Sequence, residues 1–114
     1  MDDADAFLPL KPVWFHILLT LSEQPAHGYA IRQSVDARTE GRIRLWPTTL
    51  YGNIGELEDR GLIDESDAGA KADKITRYVY RLTPLGRRVL LAETERLEEL
   101  ARIARAAMRR GRTA

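Results

Sequence analysis

The stretch at residues 46–63, WPTTLYGNIGELEDRGLI, leaves the chain little choice of local structure. Pro47 suits a first helical position, because its fixed φ matches the helix and its missing N–H would have no partner there anyway. Leu50, Ile54 and Leu57 follow at helical spacing and set one apolar stripe against a core. Gly61 closes the helix, and Leu62-Ile63 opens an extended segment. The opposite face of the first turns carries Thr48, Thr49, Gly52 and Asn53. That face is too polar for a core and nearly free of the charge that coats most solvated helices. It reads as a surface that lies against a partner.

The rest of the chain supplies the surroundings. Residues 1–8 begin MDDADA and read as a flexible lead in which only Phe7 and Leu8 start to pack. The run PVWFHILLTLSE, residues 12–23, predicts a helix with Pro12 at its first position. Trp14, Phe15, Leu18, Leu19 and Leu21, with Val13 and Ile17, cover most of its circumference. A helix apolar nearly all round is buried on several sides, so part of it is expected to face a second subunit. After a break at Gln24-Pro25-Ala26, a second helix spans about residues 28–39, with Ile31 and Val35 on its inner edge. Glu40-Gly41 ends it, and residues 42–45 alternate as a short strand or an extended linker.

Beyond residue 61, LIDESD and RYVYRL read as two strands joined by the polar tip AGAKADKIT, a β-hairpin with a long loop. Thr83 is an N-cap and Pro84 a first helical residue, opening a long helix to about residue 109. The expected fold is therefore mainly α with a small β-hairpin. It is a winged helix-turn-helix over residues 9–83, a long C-terminal helix over 84–110 and a frayed basic tail over 111–114.

Composition closes off several functions. The 114 residues contain no cysteine, which excludes disulfides, thiolate zinc sites and iron–sulfur clusters. His16 and His27 stand alone, so no metal and no cofactor is expected. No apolar run approaches the roughly 18 residues of a membrane span, and the acidic start is unlike a signal peptide. A soluble, cytoplasmic protein without membrane contact is expected. No nucleophile stands beside a histidine and no Gly-rich phosphate loop is present, so catalysis is not expected. A net charge of +1 and a pI near 8.1 fall short of the strongly basic balance that marks many nucleic-acid binders. Charge distribution has to carry that argument.

Five pieces in order are similar to the PadR family of bacterial transcriptional regulators. They are His27-Gly28-Tyr29; Thr49-Leu50-Tyr51; Leu57-Glu58; Gly61-Leu62-Ile63; and Tyr80 with Leu82-Thr83 and Gly86. The resemblance covers roughly residues 13–95 and is to the short subfamily with a single C-terminal helix. It implies a homodimer that represses promoters by binding a palindromic operator in double-stranded DNA. It also implies release by a small aromatic or hydrophobic effector in an interface cavity. No aromatic residue follows Leu85, so Trp14 and Phe15 are the candidates for lining such a cavity, or else they are packing residues.

The residues divide accordingly. Thr48, Thr49 and Asn53 can donate and accept at base edges in a major groove, and Gly52 allows close backbone approach. Tyr51 contacts a phosphate, as the resemblance implies, or is the edge of the core. No arginine stands at the helix's leading end, so the strong bidentate contact to guanine is not expected. Lys71, Lys74 and Arg77 on the wing, with Arg32, Arg42 and Arg44 before the recognition helix, are candidate phosphate contacts or simply solvated charges. Trp14, Phe15, Leu18, Leu90, Leu97, Leu100, Ala104 and Ala107 are the candidate dimer interface, with Glu93 interrupting the C-terminal seam. Two other readings stay open. One is a winged-helix protein-interaction module without sequence-specific DNA binding, favoured by low net charge and acidic patches. The other is a small-molecule sensor.

Overall fold

A computed structural model describes residues 3–67 and 78–113. Four α-helices and a three-stranded sheet follow a short 3-10 helix at Asp3–Phe7: α1 Pro12–Glu23, β1 Ala26–His27, α2 Gly28–Arg38, α3 Pro47–Asp59, β2 Ile63–Asp67, β3 Tyr78–Leu82 and α4 Pro84–Thr113. The winged helix-turn-helix with an added long helix is thus the fold. Among the described residues, no helix is long and apolar enough to cross a membrane.

Three elements differ from expectation, and a fourth, residues 42–45, takes the linker form of the two that were open. The lead is not free: Asp3–Phe7 is helical and Ala4 is fully buried against α4, because a residue that small fits beneath the helix. Residues 26–27 form a third strand, pairing Ala26 with Tyr80 and His27 with Val79, so β3 lies between β1 and β2. Residues 42–45 form no strand; Leu45 is buried and anchors an irregular link between α2 and α3. The tail is helical as far as residue 113, since one exposed glycine costs a helix only about 1 kcal/mol and arginines favour its carbonyl end.

The core is built from one stripe of each helix. Ile17, Leu18 and Leu21 of α1 meet Ile31 and Val35 of α2, Leu50, Ile54 and Leu57 of α3, and Val89 of α4, with Leu62, Ile63 and Tyr80 closing the sheet side. Trp14, Leu18 and Leu90 belong to this core. They have almost no surface left for a second subunit, which corrects their place in the expected interface. The strong apolar coverage of α1 is explained inside one chain, because α2, α3, α4 and β3 all pack against it.

The junction between α3 and the wing is fixed by glycine and threonine. Gly61 adopts φ +75°, its N–H donates to Glu58 O at 3.0 Å, and the Leu62 N–H donates to Leu57 O at 3.0 Å. This is a Schellman close, with Leu62 and Leu57 both buried. Thr83 Oγ1 donates within 2.7 Å of Gly61 O and accepts the Gly86 N–H at 2.9 Å, capping α4 as expected. At Gly86 a methyl group would stand 2.0 Å from the Leu62 carbonyl oxygen, so only glycine lets α4 start this close to the wing.

Candidate nucleic-acid interface

Helix α3 is held by its buried stripe and by one hydrogen bond that sequence reasoning did not foresee. The Trp14 indole N–H donates to Asn53 Oδ1 at 3.1 Å, while Asn53 Nδ2 donates to the Thr49 carbonyl at 2.8 Å. Asn53 is half-buried and both ends of its amide are engaged. Its expected role as a free base-reading side chain is therefore corrected: it ties α3 to α1. Trp14 cannot line an interface cavity either. Its ring is buried, with Lys11 Nζ 5.1 Å and the Arg60 guanidinium 5.9 Å from its centroid.

The remaining front of α3 is open. Thr48, Thr49 and Gly52 are exposed, and nothing lies within 4 Å of where a Gly52 side chain would begin. Tyr51 is exposed over nearly half its surface, yet its hydroxyl end rests against the start of α2. A methyl group on Gly28 would stand 2.5 Å from Tyr51 Oη. Gly28 and Tyr51 thus fit as a pair, and the phenol edge stays in solvent. His27 caps α2, its Nδ1 accepting the Ala30 N–H at 3.2 Å.

Charge is unevenly spread along α3. From Pro47 to Gly55 there is none; Glu56, Glu58 and Asp59 follow. Burial, and then the neighbouring Glu65 on β2, push the Glu58 carboxyl up to about 7. The acidic end therefore lies at the wing's base, opposite the open first turns. Arg44 is exposed beside Gly41, Arg32 is half-buried on α2, and Lys71, Lys74 and Arg77 lie outside the described residues. His16 keeps a lowered pKa through burial and the nearby Arg38; its Nδ1 has no hydrogen-bond partner among the described residues.

On α4 the expected seam splits in two. Leu90 and Glu93 are buried in the chain's own core, whereas Leu97, Leu100, Ala104 and Ala107 are exposed, together with Ile103 and Met108. Phe15 is half-buried, its ring edge-on to His16 at 5.6 Å.

One side chain escaped the sequence reading. Trp46, the residue before α3, is 65% exposed, and the Arg32 guanidinium lies 5.8 Å from its ring centroid. Periodicity places Trp46 at a helix boundary, but it carries no signal for an aromatic ring left outside the core.

The arrangement of α2, α3, wing and α4 matches known proteins. The model of the "Transcriptional regulator PadR-like family" matches residues 17–92, more than half of the chain. The chain belongs to the PadR-like family. A curated relative, "Transcriptional regulator Rv3488" of Mycobacterium tuberculosis, is 36% identical over 90 residues, covering 79% of each chain. Solved structures share the fold at lower identity. A PadR-like transcription factor from Bacteroides fragilis aligns with a TM-score of 0.73 at 22% identity, covering 93% of this chain and 99% of its own. A PadR family transcription regulator from Clostridium difficile aligns at 0.72 and 18% identity, covering 86% and 99%. The PadR-like family is one of transcription regulators rather than enzymes.

Proposed function

We propose that the chain is a homodimeric, cytoplasmic repressor that binds a palindromic operator in double-stranded DNA. The observation that carries this reading is the leading half of α3. From Pro47 to Asn53 it holds no charged side chain, and Thr48, Thr49 and Gly52 are exposed while Leu50 and Ile54 are buried behind them. An uncharged, hydrogen-bonding, closely approachable face suits the major groove, where base edges offer donors and acceptors rather than net charge. Arg42, Arg44, Lys71, Lys74 and Arg77 then serve the phosphates on either side. The exposed stripe of α4 pairs with its copy, setting two α3 helices about 34 Å apart in successive major grooves. Repression by occupancy, and release by a small aromatic or hydrophobic effector, are what the family resemblance adds.

A binding selection on genomic fragments with the purified protein, at low and at physiological salt, tests the reading. Enrichment of one palindromic site, with affinity falling steeply as salt rises, is expected. The acidic cluster of Glu58, Asp59, Asp64 and Glu65 favours a second reading, a protein-interaction module. A folded dimer that enriches no fragment at low salt would establish that one instead.

A further inference from the structure

We propose that Arg32, held over the ring of Trp46, is a guanine-reading guanidinium at the leading end of α3. The inference deepens the operator-binding reading and rests on it. Trp46 occupies the N-cap position of α3 without capping it by a side-chain hydrogen bond, where serine, threonine or aspartate is usual. Its ring also contributes little to the core, being 65% exposed. The fold itself therefore gives this indole no task. What the indole does touch is Arg32, at 5.8 Å from the ring centroid.

Among the described residues, Arg32 has no carboxylate within salt-bridge distance. The attraction between a guanidinium and the ring below it narrows the orientations of the long side chain before any partner arrives. Arg32 also lines a recess of about 250 Å³ with Tyr29, Pro47, Leu50 and Tyr51. A bidentate donor from α2 thus lies beside Pro47 at the start of α3, a helix whose own first turn offers only the short hydroxyls of Thr48 and Thr49, which cannot fork. Guanine presents O6 and N7 side by side in the major groove, which matches two parallel N–H donors. The contact that α3 lacks in its own sequence is supplied from α2.

The test takes the duplex most enriched in the fragment selection, resynthesised with 7-deazaguanine at each guanine in turn. One position per half-site is expected to lose about tenfold in affinity for the wild-type chain, because the N7 acceptor is gone. Arg32→Ala and Arg32→Lys should bind natural and substituted duplexes alike, lysine keeping the charge but not the fork. Trp46→Ala should lose most of the discrimination, with no further loss when combined with Arg32→Ala. Unfolding temperatures should stay near wild type, since the indole lies outside the core. A different result overturns the inference: Arg32→Ala weakening every duplex alike and lowering the salt slope by about one marks a phosphate contact. Equal binding of all 7-deazaguanine duplexes overturns it as well while leaving operator binding intact, and failure to retain any duplex removes both readings.

Discussion

Glu93 lies 2% exposed on the inner face of α4, with the Leu10 N–H 2.9 Å from Oε2 and the Arg96 Nε 2.5 Å from Oε1. The hydrogen bonds from Arg96 hold its carboxyl below the ordinary value of 4.5 against the opposing effect of burial. Glu58 is displaced the other way, to about 7, by burial and by Glu65. A depressed carboxyl stabilises the fold above the ordinary value and loses that contribution as pH falls through its lowered pKa; a raised one loses stability as pH climbs from 4.5 toward 7. Stability should therefore fall from about pH 5 to 7 as Glu58 ionises, and fall again under acid as Glu93 is protonated. Glu58→Gln should flatten the upper slope and stabilise the protein at pH 8 by about 1 kcal/mol, the partly solvated site screening the charges. Urea unfolding between pH 4 and 8 checks this; an unchanged slope in the variant would refute it. Asn53→Ala should cost about 1–2 kcal/mol by leaving the buried Trp14 N–H unpaired. An unchanged urea midpoint would show that the bond contributes nothing. Neither role was legible beforehand. The partner of Asn53 is 39 residues away and that of Glu93 is 83, and helical periodicity records only which face a residue shares.

Helices are legible in the sequence because their punctuation is local. Pro12, Pro47 and Pro84 each open a helix, Gly61 closes α3, and Thr83 caps α4. The two-residue strand β1 was missed, since its only definition is pairing with β3, more than fifty residues later in the chain. The helix start at Trp46 is legible in the sequence, but the ring's exposure is not, because it depends on what the fold leaves uncovered. Gly86→Ala tests the element junction. With the added methyl 2.0 Å from the Leu62 carbonyl oxygen, α4 must shift from the wing, at a cost of about 3 kcal/mol. Chemical denaturation measures it, and a cost below about 0.5 kcal/mol would mean that the approach is not rigid.

The whole molecule is extended rather than round. Its radius of gyration is 16.7 Å, against about 13 Å for a compact chain of this length, and its longest dimension is 66 Å. The excess comes from α4, whose 30 residues run about 45 Å and, among the described residues, carry no buried one after Glu93. Leu97, Leu100, Ile103 and Met108 lie exposed along it, a stripe that a second copy would cover. Leu97→Glu should break the dimer and weaken operator binding at least tenfold, while the rest of the fold survives because Leu97 lies beyond its own core. Sedimentation of the variant as an intact dimer would place the interface elsewhere. Operator binding of the proposed kind requires two α3 helices in two successive major grooves. Dimethyl sulfate protection of the enriched duplex tests that most directly, because the reagent reports guanine N7 in the major groove. Two protected patches centred about 34 Å apart are predicted. One patch, or binding with no major-groove protection, would contradict the account.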